Sequence, residues 1–173
     1  MGEQNLRIER NQRQHGLRYS RVVLVAAFAL LLAVAPGTAT RAAEERIAIA
    51  VIVNPAAPQM RFGEVELRAI FDGGLRSWPD GKAITVLNMP LNTPVRTEFD
   101  RVVLKMSPEQ AARHWLDKLI RGESTPPKQI PSADVLVRLV ASHVGVISYV
   151  PEEAVRKDVR VVARIRQGAV RTP

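Results

Sequence analysis

Short apolar runs alternate along the chain with segments whose apolar residues recur every three or four positions. Four of the runs are rich in β-branched residues and predict strands, at residues 46–53, 83–88, 145–150 and 159–166. The first has no polar residue after Arg46, which indicates a strand buried on both faces. The charged side chains of the last favour a position at the edge of a sheet.

Helical periodicity and capping residues predict four helices between these strands. The first covers residues 63–71, the second starts at Thr93 as N-cap, the third covers residues 107–121, and the fourth starts at Ser132. The residues predicted to face inward are Val95, Phe99, Val102 and Val103 on the second helix, and Trp115, Leu116, Leu119 and Ile120 on the third. A Pro-rich loop or crossover is predicted at residues 122–131. Strands alternating with helices predict an α/β fold with a mainly parallel sheet flanked by helices.

The N-terminal segment has the layout of a secretory signal. Several Arg residues precede an unbroken apolar run at residues 22–35, and small residues follow it. Fourteen helical residues rise about 21 Å, which is short of a hydrocarbon core of about 30 Å. We therefore predict a signal peptide or N-terminal anchor at residues 1–43, and one α/β domain at residues 44–173. The predicted location is the periplasm, with anchoring to the inner membrane through residues 22–35 if the signal is uncleaved.

The net charge of +8 says little about binding partners. Half of it lies in residues 1–43, which hold six Arg and two Glu. The remaining basic residues are scattered, without a Lys/Arg block and with few aromatic neighbours, so a nucleic-acid partner is not predicted. The chain has no Cys, which excludes disulfides and a thiol nucleophile.

The sequence also offers little for catalysis. Its three histidines, His15, His114 and His143, are far apart in sequence and stand in no pattern typical of metal ligands. The glycine patterns of phosphate loops and dinucleotide-binding turns are missing from the sequence. The prediction is a non-enzymatic protein without a metal or cofactor.

One segment, residues 86–96, combines features of an anion site. It runs from a strand end through a short loop into a helix capped by Thr93. Free N–H groups at the helix start, the helix dipole and the Thr93 hydroxyl suit a small oxyanion, and Arg96 adds positive charge. The candidate ligand-binding residues are Asn88, Asn92, Thr93 and Arg96. A competing interpretation is that Thr93 only caps the helix and that Arg96 is a solvated side chain.

Four landmarks occur in order: Asn54-Pro55 after the first strand, residues 66–81 with their Gly and Trp-Pro-Asp-Gly turns, residues 86–99, and residues 145–150. Together they resemble the phosphate-type substrate-binding proteins of bacterial ABC transporters. The similarity covers about residues 46–150. It implies a single lobe of a type II periplasmic-binding-protein fold, because the exported part is about half of a two-lobed binding protein.

The segment that resembles the family's phosphate loop is altered. Positions that carry Arg, Asp, Gly, Ser, Gly and Thr in the family align with Asn88, Leu91, Asn92, Thr93, Pro94 and Val95. Thr93 keeps a hydroxyl, but Leu91 replaces the Asp that accepts a hydrogen bond from protonated phosphate. Losing one hydrogen bond to a charged group costs about 1.5–3 kcal/mol. The resemblance therefore implies weak phosphate binding at best.

These observations lead to an exported, non-catalytic domain related to phosphate transport, which binds a small oxyanion weakly at the helix start. The alternative is an envelope protein–protein interaction or accessory module without a small-molecule ligand, and a contiguous apolar patch on the cleft face would favour it. A periplasmic enzyme on the same scaffold would require His143 close to two carboxylates.

Overall fold

The computed structural model of the protein describes residues 47–173. The predicted signal or anchor at residues 1–43 lies outside the described residues. Within residues 47–173, no helix combines the length and hydrophobicity needed to cross a membrane.

The described chain contains six strands and four α-helices. In chain order they are β1 (Ile49–Val53), α1 (Glu64–Phe71), β2 (Thr85–Asn88), α2 (Pro94–Phe99), α3 (Pro108–Ile120), β3 (Lys128–Gln129), α4 (Ala133–Ser142), β4 (Val146–Pro151), β5 (Arg160–Arg166) and β6 (Ala169–Arg171). Helix α2 continues directly into a π-helical turn, Asp100–Leu104, and a 3-10 turn, Glu152–Ala154, follows β4.

All six strands form one sheet in the order β3-β2-β4-β1-β5-β6. Strand β2 pairs in parallel with β3 and β4, whereas β1 is antiparallel to β4 and β5, and β6 is antiparallel to β5. Strands β2, β3, β4 and β5 therefore run in one direction, and β1 and β6 run in the other. The predicted α/β class is confirmed, but the sheet is mixed rather than mainly parallel, since two of its five strand pairs are parallel and three are antiparallel.

Strand β1 lies in the interior of the sheet. Its five residues are fully buried, as the unbroken apolar run predicted. It pairs on one side with β4 and on the other with β5, so both of its backbone edges are hydrogen-bonded. Strand β1 thus forms the centre of the hydrophobic core.

The predicted edge position of β5 is wrong. The chain turns back at Gln167 and Gly168, whose φ angles of 54° and 73° are typical of a tight hairpin, and β6 then covers β5. Two of the arginine side chains that suggested an edge position instead pair with a carboxylate. Glu152 accepts hydrogen bonds from Arg164 Nε at 3.0 Å and from Arg166 Nε at 2.8 Å. Strand β3 also lies inside the segment that was predicted to be a loop or crossover.

Replacing Glu152 with Gln should destabilise the protein at neutral pH by up to about 1 kcal/mol, as for exposed ion pairs. The hydrogen bond from Arg166 is the main cause of the lowered pKa of Glu152. Its stabilisation is therefore present above the usual Glu pKa and disappears as pH falls through the lowered value. Urea unfolding at pH 7 and at low pH should show a deficit for Glu152→Gln only at pH 7. Glu153→Gln, at the exposed neighbouring position, is the control and should be as stable as the parent. If Glu152→Gln were as stable as the parent at pH 7, the stabilising role of Glu152 would be refuted.

An aromatic cluster joins α1, α2 and the sheet. Phe99 stacks on Tyr149 with ring centroids 3.7 Å apart and planes 4° apart, and Phe71 packs edge-on against Phe99 at 4.6 Å. All three side chains are buried. The predicted inward face of the second helix is confirmed, since Val95, Phe99, Val102 and Val103 are all buried. The cluster holds the end of α2 against α1 and β4.

Helix α3 differs from its prediction. Trp115 is buried as expected, but Leu116, Leu119 and Ile120 are 54%, 50% and 75% exposed. The helix rests on the domain through a narrow stripe that includes Ala111 and Trp115. The apolar residues of α3 cover a wider part of its surface than the buried stripe. Within residues 47–173, no other element packs on the apolar residues outside that stripe. An apolar face of α3 is therefore open to solvent.

Candidate functional site

A groove of ≈ 250 Å³ lies at the carboxyl ends of β2 and β3. These strands run in parallel and end side by side, with Asn88 opposite Gln129. Carboxyl ends of parallel strands are the usual location of ligand sites in α/β folds. The groove is lined by Asn88, Leu91, Arg96, Ala112, Trp115, Leu116, Leu119, Pro126, Pro127 and Gln129.

Asn88 is the last residue of β2 and is only 4% exposed. Its backbone oxygen accepts a hydrogen bond from the N–H of Ile130, which fixes the strand end. Its side-chain Oδ1 is buried and has no hydrogen-bond partner among the described residues. A buried amide oxygen of this kind keeps its full capacity to accept a hydrogen bond.

Arg96 lies one turn into α2 and is paired with Asp100. The Arg96 Nε donates to Asp100 Oδ2 at 2.6 Å, and Nη1 donates to the Met89 carbonyl at 3.4 Å. Both side chains of the pair are nearly fully buried. Burial raises the pKa of Asp100, and the nearby Arg96 charge partly offsets this. The interpretation of Arg96 as a solvated side chain is therefore wrong, and its charge is already matched.

The Tyr149 hydroxyl lies in the same buried region, close to Arg96 and Asp100. Burial raises the pKa of this hydroxyl well above its usual value, so Tyr149 is neutral throughout the physiological range. Asp100 Oδ1 has no hydrogen-bond partner among residues 47–173, whereas the Tyr149 hydroxyl lies within reach of the Met89 backbone and the Arg96 side chain. Leaving such a group unpaired costs about 1–3 kcal/mol, so the region can still gain hydrogen bonds.

Thr93 caps α2, as predicted. Its Oγ1 accepts from the Arg96 N–H at 3.3 Å and donates to the Pro90 carbonyl at 2.8 Å. The hydroxyl proton is therefore already used within the protein. The adjacent N–H of Val95 has no acceptor within the helix, as at any helix start.

The structure brings together two of the four predicted site residues. Asn88 and Arg96 line the groove, whereas Asn92 is exposed on the loop and Thr93 lies outside the lining. Sequence reasoning missed Asp100, although its position four residues after Arg96 is the spacing of a helical ion pair. It also missed Gln129, whose Oε1 accepts from the Leu91 N–H at 3.3 Å. No local signal links Gln129 to Leu91, because the pairing of β3 with β2 brings the two residues together.

Two of the three histidines, His114 and His143, lie among the described residues, and each contacts its own helix. His143 Nδ1 lies 2.9 Å from the Leu139 carbonyl at the end of α4, and His114 packs against Trp115. Among residues 47–173, no group of three or more His, Cys, Asp or Glu side chains is placed to hold a metal. The catalytic alternative required such a cluster around His143.

Comparison with known proteins gives matches at the level of structure. No family model matches the chain, and no curated protein does. An ABC-type phosphate transport receptor from Vibrio cholerae superposes with a TM-score of 0.53 and 17% identity, over 67% of this chain and 45% of that one. A putative phosphate ABC transporter substrate-binding protein with bound phosphate, from Clostridium perfringens, superposes with a TM-score of 0.54 and 17% identity, over 67% of this chain and 44% of that one. PstS from Borrelia burgdorferi superposes with a TM-score of 0.50 and 13% identity, over 67% of this chain and 47% of that one.

The described domain shares the fold of part of each of these proteins. These likenesses confirm the predicted fold class and the predicted resemblance to phosphate-type proteins. At 13–17% identity they show the fold and no more. The chain spans less than half the length of each of these proteins.

Proposed function

We propose that this chain is an exported, non-catalytic binding domain, related to phosphate transport components, that holds a small oxyanion weakly in the groove. The observation that carries the proposal is the buried Asn88 carboxamide beside the buried Arg96 at the carboxyl end of parallel strands. The solved structures with this fold support it, since those from Vibrio cholerae and Clostridium perfringens are described as a phosphate transport receptor and as a protein with bound phosphate.

Hydrogen bonds, rather than net charge, would hold the anion. The Arg96 guanidinium has five N–H donors, which serve Asp100 and the Met89 carbonyl and also lie near the Tyr149 hydroxyl, and its remaining N–H groups are donors for an anion. Asn88 Oδ1 is an acceptor, so it suits an oxygen that carries a proton. Hydrogenphosphate has such an oxygen at neutral pH, and sulfate does not. Phosphate should therefore bind in preference to sulfate.

Three features keep the affinity low. Asp100 neutralises Arg96, the Thr93 hydroxyl already donates to Pro90, and Leu91 contributes an apolar wall. An anion in the groove would gain a few hydrogen bonds without meeting a surplus of positive charge. A dissociation constant of about 1 mM corresponds to only about 4 kcal/mol, which is the scale that we expect.

Titration calorimetry with inorganic phosphate tests this proposal. We expect binding in the millimolar range, weaker binding of sulfate, and at least about tenfold weaker phosphate binding by Asn88→Leu, since one good hydrogen bond is lost. Thr97→Ala, an exposed change on α2, is the matched control and should bind as the parent does. A parent protein that shows no heat at about 10 mM phosphate, or Asn88→Leu that binds as well as the parent, would overturn the ligand assignment.

The second candidate function is an envelope interaction module. The specific observation in its favour is the exposure of Leu116, Leu119 and Ile120 on α3. Such a contiguous apolar face is typical of interaction surfaces. In this case, partner binding would be insensitive to Asn88→Leu and lost on placing a charge on α3.

A further inference from the structure

The exposed face of α3 combines an apolar stripe with a flanking pair of opposite charges. On a helix that turns about 100° per residue, Ala112, Leu116, Leu119 and Ile120 form one apolar stripe with Leu116 near its middle. Arg113 and Asp117 lie one turn apart along one border of this stripe. Within the described domain, neither side chain makes a hydrogen bond or a salt bridge, and the charge of Arg113 also acts on the nearby Glu109 carboxylate.

We propose that a second copy of this chain docks on this face, with the two α3 helices antiparallel and crossing at Leu116. In this arrangement, Leu116 meets Leu116 of the other copy, and Ala112 meets Ile120. Two-fold symmetry makes every contact occur twice. Arg113 of each copy then lies opposite Asp117 of the other, so the interface contains two pairs of opposite charge.

The size of the face sets the strength of the association. Helix α3 has 13 residues, so it is about 20 Å long and about 10 Å across. This face of roughly 200 Å² is much smaller than the ~800 Å² per partner of a standard interface. The dimer should therefore be weak and reversible, and should form at protein concentrations of tens to hundreds of micromolar.

Dimer formation would also change the groove. Leu116 and Leu119 belong both to the exposed stripe and to the groove lining. A helix of the second copy lying on them covers one wall of the groove, close to Leu91 and Pro127. The inference does not depend on the oxyanion proposal, because Asn88→Leu should weaken phosphate binding and leave the dimer intact.

Sedimentation velocity of the full chain over about 10–500 µM tests the inference, with the midpoint of association expected inside that range. Leu116→Glu should make the protein monomeric, whereas Val65→Glu should not. Val65 is the matched control, since it is 77% exposed on α1. Circular dichroism and an unfolding curve establish that both variants fold. Association that persists in Leu116→Glu, or a parent that stays monomeric throughout, overturns the proposal.

A charge exchange tests the antiparallel arrangement. Arg113→Asp and Asp117→Arg should each raise the dissociation constant at least about fivefold, because each creates two like-charge contacts. The chain carrying both substitutions regains the opposite pairs and should dimerise as the parent does. Failure of the double variant to recover would overturn the docking geometry.

Discussion

Replacing Arg96 with methionine is expected to lower the free energy of unfolding by about 3–5 kcal/mol, because it leaves a buried charge without its partner. The change leaves the Asp100 carboxylate buried without its 2.6 Å partner. Burial already raises the pKa of Asp100 when Arg96 is present. Without Arg96 the carboxyl must either remain charged in an apolar setting or take up a proton.

Chemical denaturation of Arg96→Met, Asp100→Leu and the double variant measures this effect as a double-mutant cycle. Each single variant leaves one buried group uncompensated. The double variant should lie close to the parent, because removing a buried pair also removes the cost of desolvating it. The deficit of Arg96→Met should also shrink at low pH, where Asp100 is protonated and needs no counter-charge. A double variant as unstable as the sum of the singles would contradict this account.

Phe99→Ala should cost about 3–5 kcal/mol, which is the range for removing a buried aromatic side chain. Phe99 is 1% exposed and contacts Tyr149 on one side and Phe71 on the other. Its removal leaves a cavity at the end of α2, between Phe71 and Tyr149. Denaturation curves give the loss, and near-ultraviolet circular dichroism reports the surroundings of Tyr149.

Two comparisons make this measurement specific to packing. Phe99→Leu retains much of the buried volume and should recover part of the stability. Val65→Ala removes an exposed side chain and should change stability by less than about 0.5 kcal/mol. A loss of less than about 1 kcal/mol for Phe99→Ala would mean that the aromatic cluster does not hold α2 in place.

The elements of the fold could be predicted because their signals are local. The unbroken apolar run of β1 predicted burial on both faces, and Thr93 predicted the start of α2. Helix α3 shows where local signals fail: periodicity identifies an apolar side but does not say whether anything covers it. The six-strand order was equally inaccessible, since β6 is three residues long and β3 is only two.

The part of the candidate site that could be predicted also rests on local signals. Asn88 was found because it follows a strand, and Arg96 because it follows a helix cap. The state of Arg96 was not predictable, because its burial depends on the aromatic cluster and on how α2 lies over the sheet. Gln129 enters the groove through a two-residue strand that pairs with a segment about 40 residues earlier.

The position of β1 has a consequence for the order in which the protein can fold. In the sheet, Val51 pairs with Tyr149 on one side and with Ala163 on the other. Contacts between such distant parts of a chain form late, because a long loop must close before they are gained. During synthesis, β1 leaves the ribosome first but gains its two neighbours only after β4 and β5 have emerged. The centre of the sheet therefore forms later than the helices that precede β4.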